Sequence, residues 1–423
     1  MFLISFFLVA SAFADDYIVL FKQSEMNIAS LEHGALQQVL QTSNLKSVKQ
    51  LEQWLGARGK AAPVGDFWLL RGASLNVDKD TAKKLEQEAW VQGVYKSQVR
   101  KWVHPVGEVV AGNTLGEVGS SAGNVWGLDY IGVPKIRAEF PGIDGSGIRV
   151  GVLDTGVQSK HPELATTDHF KDFVNHLALP YDDHGHGTHV SGTISGKQVG
   201  VAPGVTLTEG KIFGAAGAGD DTTILKAMQW IFDPDGDPST DDYPRVVSNS
   251  WGADLAGDAS FNIEDFMPYH VALQAWVRGG VIPVFAAGNS GGSPNGIPGG
   301  LPEPIAVGAI NAAGAVADFS SRGPNLWRLG PTLQTFLKPD IAAPGVDIAS
   351  SFPGNKFASW AGTSMATPHV TGTIALMLQA NPKLKFADVK EILLLTSQRK
   401  IDTQYGYGIL DAYAAVKAAL ARR

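Results

Sequence analysis

Apolar positions follow two regimes along the chain. Between residues 15 and 105 they come in short, mixed runs. Asp16–Lys22 (DYIVLFK) reads as a strand, Ile28–Leu40 and Leu45–Leu55 have helical spacing, and Asp66–Leu75 (DFWLLRGASL) is again strand-like. VDKDTAKKLEQEAW opens on aspartates suited to cap a helix and continues with apolar residues three and four apart. GVYKSQVRKWV predicts another strand. The result is a small α+β unit ending near His104-Pro105. Val106–Asn124 is rich in Gly, Ser and Val without periodicity, and is expected to be an exposed, protease-sensitive linker.

From residue 124 the apolar runs become nearly continuous. GIRVGVLDTGV, TLTEGKIFG, RVVSNSWG and VIPVFAAGNS read as buried strands. They alternate with the helical patterns TTILKAMQWIF and FMPYHVALQAWVRGG, and FADVKEILLLTS and GILDAYAAVKAAL read as closing helices. Buried strands interleaved with helices predict an α/β fold: a doubly wound, mostly parallel sheet with helices on both faces. In such sheets chemistry gathers at the carboxyl ends of the strands.

Composition adds limits. With 423 residues the chain is long enough for two or three domains. A net charge of −7 gives no electrostatic case for nucleic acid as a partner. Residues 15–110 hold 12 basic and 11 acidic side chains, and residues 111–423 hold 22 and 30, so a nearly neutral module precedes an acidic one. With no cysteine, disulfides, thiol nucleophiles and zinc-thiolate sites are excluded. Phe2–Ala14 is an apolar run ending in Ala12-Phe13-Ala14, the small-x-small pattern of a cleaved secretory signal, although no Lys or Arg precedes it. It is shorter than the roughly 20 residues that span a bilayer. A secreted protein, extracellular or periplasmic, without a membrane anchor after signal cleavage is expected.

The candidate chemistry lies at strand and helix ends. Asp154 closes the strand RVGVLD; it could orient a histidine or merely form a turn. YDDHGHGTHVSG carries His184, His186 and His189. One of them could be a general base, or the three could bind a metal, since H-x-H-x-x-H resembles the cluster H-x-H-x-D-H; that cluster wants an aspartate where Thr188 stands. A structural role is the third possibility. Ser364 stands just before an apolar helical run, after Gly362 and before Pro368, at the place where a helix start would favour a developing negative charge. The same position suits an ordinary capping serine. Asn289 follows a strand and could donate to an oxyanion or simply form a turn. None of these signals decides alone. Together they stand in the order Asp, His, Asn, Ser, and Asp-His-Ser is the order known for the subtilisin triad.

The motifs themselves resemble those of the subtilisin-like serine proteases (subtilases, peptidase S8). VGVLDTGV is similar to the family's aspartate motif, HGTHVSGTISG to its histidine motif and GTSMATPHVTG to its serine motif. The resemblance implies a catalytic triad of Asp154, His186 and Ser364, an oxyanion donor in Asn289 (AAGN), and substrate pairing by Ser250, Trp251 and Gly252 (VVSNSWG). Trp251 departs from the aliphatic residue often found there and would reshape one cleft wall. Residues 15–105 resemble the family's inhibitor-I9-like propeptide, which implies a small α+β, ferredoxin-like prodomain that aids folding, inhibits, and is then cut off. The expected organisation is therefore a signal at 1–14, propeptide at 15–105, linker with the processing site at 106–123 and a subtilisin-like peptidase domain at 124–423. The implied activity is that of a secreted serine endopeptidase acting on protein or peptide substrates, made as a self-processed zymogen with its own propeptide as intramolecular inhibitor, and monomeric. An inert fold of the same kind used for binding is the alternative. The resemblance also implies that Ser290 lines the specificity pocket, where its neutral side chain would favour apolar residues. Finally, DPDGDPSTDD spaces Asp233, Asp235, Asp237 and Asp241 around Gly236 as candidate ligands of a structural calcium, with a solvated acidic turn as the plain alternative. No organic cofactor is expected.

Overall fold

The structure, a computed structural model, describes residues 14–22, 31–60, 64–118, 125–254, 263–294, 296–329, 332–398 and 401–423. The expected signal segment, Ala14 apart, lies outside them.

The N-terminal unit runs β1 (Asp15–Phe21), α1 (His33–Gly56), β2 (Val64–Phe67), β3 (Gly72–Val77), α2 (Lys79–Glu86) and β4 (Val91–Lys96). Its strands form one antiparallel sheet in the order β2-β3-β1-β4. Asp78 caps α2 by accepting from the Thr81 amide. Two expected helices are one. The polar run Thr42-Ser43-Asn44 looked like a break, but Asn44 is buried and its amide donates to Asp66 Oδ1 (2.5 Å) and the Gly72 carbonyl (2.9 Å). The single strand expected over residues 93–103 is divided into β4 and β5 (Val99–Lys101).

Val106–Gly112, within the stretch expected to be an exposed linker, is a largely exposed strand, β6. Its glycines and glutamate hide any period; what makes it a strand is a partner distant in sequence, described below.

The larger unit continues through α3 (Trp126–Tyr130), α4 (Val133–Glu139), β7 (Arg149–Asp154), β8 (Thr167–Asp172), α5 (His186–Ser195), β9 (Thr206–Lys211), β10 (Ala218–Asp220), α6 (Asp221–Trp230) and β11 (Val246–Asn249). Then follow α7 (Met267–Arg278), β12 (Ile282–Ala286), β13 (Ile305–Ile310), the hairpin β14 (Asn325–Leu329) and β15 (Thr332–Phe336), β16 (Ile341–Pro344), β17 (Ile348–Phe352), β18 (Lys356–Ala361), α8 (Thr363–Ala380), α9 (Phe386–Thr396) and α10 (Ala412–Ala421). Seven strands form a wholly parallel sheet in the order β16-β13-β12-β11-β7-β9-β8.

Successive strand residues serve two cores, as strand pleating requires. Val152, Val246 and Val284 join the side packed by α5, α8 and α10. Leu153, Val247 and Phe285 join the side packed by α6 and α7. Helices therefore cover both faces, as the continuous apolar strands imply. β18 pairs with β17 on one edge and with β6 on the other.

Candidate active site

Asp154 is the last residue of β7 and His186 the first of α5, and both are buried. His186 Nδ1 lies 2.8 Å from Asp154 Oδ1. Close packing beneath them explains the glycines. Gly156 has φ 108°, and a Cβ there would meet the Tyr181 carbonyl oxygen at 2.1 Å. A Cβ on Gly187 would come equally close to the Gly156 oxygen, at 2.1 Å. The turn is further fixed by Asp182. It accepts from Thr155 Oγ1 (2.9 Å), the Gly185 amide (2.8 Å) and both the amide and hydroxyl of Thr188. Thr188, the residue that breaks the metal-site pattern, thus has a structural partner. Asp182 stands two residues before His184 in the sequence, a signal that was available and missed.

Ser364 is the second residue of α8, the 18-residue helix at the centre of its core. Its Oγ donates to the Ser250 carbonyl (2.8 Å), and Ser250 Oγ donates to the Ser364 carbonyl (2.8 Å). The second bond accounts for Pro368. A proline at that position lacks the amide that would bond to the carbonyl four residues earlier; that carbonyl is Ser364's, and Ser250 satisfies it instead. Asn289, after β12, accepts through Oδ1 from the Thr363 amide (3.0 Å) and hydroxyl (2.9 Å). Its Nδ2 is thereby aimed away from the helix, and it donates to the His104 carbonyl at 2.8 Å.

Trp251 is buried, with its indole N–H on the Leu153 carbonyl (2.8 Å) and its ring edge-on to Trp102 (5.5 Å between centroids). Gly252 donates its amide to the Trp102 carbonyl (3.1 Å). The structure therefore brings together Asp154 with His186, Ser250 with Ser364, and Asn289 with the first turn of α8.

His184 and His189 take other roles. His184 stacks on Trp360 (6.0 Å, 11°). His189 Nε2 faces two carbonyl oxygens, Ile348 (3.0 Å) and Ala358 (3.1 Å). Burial lowers the His189 pKa to about 3 and that of His369, in α8, to about 4. Both rings are neutral in the fold but titrate near 6.5 once unfolded. Their contribution to stability is full above pH 6.5 and is lost as pH falls toward 4. Each can remove up to about 1.4 kcal/mol per pH unit over that range. Thermal melts of an inactive variant should show a steep loss of stability between pH 6.5 and 4.5, reduced by His369→Gln.

Two acidic groups were not foreseen. Glu209 on β9 is fully buried and receives Ser191 Oγ (2.7 Å), and burial pushes its carboxyl well above the usual range. Asp254 accepts from Ser290 Oγ. A carboxylate thus stands beside the serine from which a neutral lining was expected.

Of the acidic loop, Asp233, Asp235 and Asp242 present carboxylate oxygens within 4.8 Å of one another. Asp237 and Asp241 do not belong to this group, and Asp242 replaces them. The reason is local: Asp237 turns to accept from the amide and hydroxyl of Ser239 (2.9 and 2.7 Å). Burial raises the Asp233 and Asp242 carboxyls, and neighbouring carboxylates add to it.

Residues 145–408, well over half of the chain, match the profile of the subtilase family, peptidase S8. The chain is 32% identical over 400 residues to bacillopeptidase F of Bacillus subtilis (strain 168), covering 85% of this chain but only 27% of that protein. It is 32% identical over 303 residues to subtilisin E of the same strain, covering 69% of this chain and 71% of subtilisin E. To alkaline elastase YaB of Bacillus sp. (strain YaB) it is 35% identical over 298 residues, covering 69% and 70%.

Proposed function

The chain belongs to the subtilase family, a family of serine endopeptidases, and from that premise we propose that it hydrolyses peptide bonds through an acyl-enzyme on Ser364. The observation that carries the reading is the buried Asp154–His186 contact at 2.8 Å at the carboxyl end of β7, with Ser364 bonded to Ser250 just after the neighbouring strand β11 and Asn289 following β12, the next strand. Ser364 Oγ turns from the Ser250 carbonyl to His186, gives up its proton to Nε2 and attacks the substrate carbonyl carbon. Asp154 holds the Nδ1–H and so fixes the tautomer in which Nε2 can accept. The oxyanion is met by Asn289 Nδ2 and by the backbone N–H of Ser364 at the head of α8. His186 then returns the proton to the leaving amine, and water releases the acyl group.

The test is covalent labelling. An organic fluorophosphonate should phosphonylate one serine, and peptide mapping should place the adduct on Ser364. His186→Ala should not be labelled. A labelled serine elsewhere, or none in a protein that hydrolyses peptides, would overturn the assignment. Asn289→Ala should be labelled but lose about 10²–10³ in kcat with little change in KM, the size of effect known for the corresponding donor of subtilisin, a relative of this chain.

Secretion as a zymogen completes the proposal. The apolar run Phe2–Ala14 and its small-x-small end support export, and the N-terminal unit supports inhibition and assisted folding of a slow-forming parallel sheet. A structural calcium on Asp233, Asp235 and Asp242 fits the gathered carboxylates; a lower melting temperature in excess chelator is the result that would support it.

A further inference from the structure

The N-terminal unit and the larger unit meet around one charged residue. Trp68–Leu70 forms a 3₁₀ turn that packs between α1 and α7. Arg71 follows it in the left-handed region (φ 52°), where glycine enters freely and other residues rarely go. Two backbone bonds hold it there: Arg71 donates its amide to the Trp68 carbonyl (3.1 Å), and its own carbonyl accepts from the Phe21 amide (2.9 Å). The turn is tied to α6 as well, where Gln229 Oε1 accepts from the Leu69 amide (3.0 Å). Backbone geometry alone would favour glycine at position 71, so the reason for an arginine lies in its side chain.

Arg71 is 7% exposed. It lines a cavity of about 20 Å³ with Leu36 and Leu40 of α1 and Val271 and Ala275 of α7. Arg278, in the last turn of α7, lines the same cavity. Among the described residues Arg71 Nε has no hydrogen-bond partner, and neither arginine forms an ion pair. Gln274, the other polar residue of the lining, turns its amide nitrogen to His270 Nε2 (3.1 Å). Burial lowers the Arg71 pKa, yet a guanidinium stays protonated in proteins. A buried charge without a counter-charge is strongly unfavourable. A water could take up the donors but would leave the charge.

We propose that a monatomic anion, chloride, binds in this cavity between the Arg71 and Arg278 side chains. The volume suits one atom-sized guest and is too small for phosphate or sulfate. The lining suits it too. A guanidinium is more weakly hydrated than an ammonium, and the apolar remainder of the wall asks for no further hydrogen bonds. The cavity has one wall in each unit, so the site exists only while the N-terminal unit rests on α7. Chloride therefore helps to hold the two units together, because a ligand that binds only the joined form stabilises that form. The inference is independent of the acyl-enzyme reading.

The test uses the full chain carrying Ser364→Ala, so that self-digestion plays no part. Melting temperature is measured at constant ionic strength while sodium gluconate, whose anion is too bulky for the cavity, is replaced stepwise by sodium chloride. Above half-saturation a rise of about 2–4 °C for each tenfold in chloride is expected. Adding Arg71→Gly should abolish the rise; this variant is expected to fold, because glycine adopts the backbone of position 71 without strain. Arg278→Gln should weaken it. Equal melts in the two salts, or a rise that survives Arg71→Gly, would overturn the proposal. Bromide gives a reading that needs neither arginine variant. In bromide-soaked crystals of the Ser364→Ala chain an anomalous peak should lie between the two guanidinium groups, and its absence there would refute the site.

Discussion

Ser364→Ala is expected to lose about six orders of magnitude in kcat toward peptide substrates, with KM nearly unchanged. That is the loss known for the corresponding serine of subtilisin. In the proposed mechanism Asp154, His186 and Ser364 act as one unit. The remaining members keep their positions, because Asp154 still holds His186 and Asn289 is still fixed by Thr363. Without the hydroxyl nothing accepts the acyl group. His186→Ala should cost about as much, and the double variant little more, since the second loss removes a function already gone. Single-turnover and steady-state rates on one fluorogenic peptide would measure this. A Ser364→Ala protein within tenfold of the wild type would mean that the nucleophile lies elsewhere.

The second large effect concerns the core. Lys338 is almost wholly buried, with its ammonium on Asp340 Oδ2 (2.8 Å) and the Pro304 carbonyl (2.7 Å). Asp340 also takes Lys390 Nζ (2.7 Å) and the Ala306 amide (2.8 Å). Burial pulls the Lys338 pKa down to about 8, and the two ammonium groups hold the Asp340 carboxyl below its usual range. Asp340→Ala leaves a buried ammonium without its counter-charge, and the cost of such a break is about 3–5 kcal/mol. For a domain of this size that corresponds to roughly 6–20 °C in melting temperature. Measured in the Ser364→Ala background, where self-digestion is absent, the melt reports the pair alone. Adding Lys338→Met should restore much of the loss, because an apolar side chain of similar length needs no partner. If the double variant melts no higher than Asp340→Ala, the cost does not come from the stranded charge.

The sequence disclosed the parts of this protein whose signal is local. β7, β9, β11 and β12 are continuous apolar runs, and α6, α7, α9 and α10 carry their period openly. Asp154 could be singled out because it ends β7, and the order Asp154, His186, Asn289, Ser364 is what raised these four residues above their plain readings. What stayed hidden depends on distant partners. β6 is a strand only because β18 offers it an edge. β8 (TDHFKD) is an edge strand with polar side chains and no apolar run. Asn44 interrupts a helical pattern that the Asp66 and Gly72 contacts sustain. That Asp242 rather than Asp237 stands with Asp233 and Asp235 goes with a turn at Ser239, which spacing alone does not specify.

β6 also settles what happens at the edge of β18. Its pairing with β18 and that of β5 with β10 lie within one chain, so both close without a diffusional encounter and neither depends on how dilute the protein is. β18 thus has a neighbour on each side in every copy. A strand covered in this way offers no free edge to another chain.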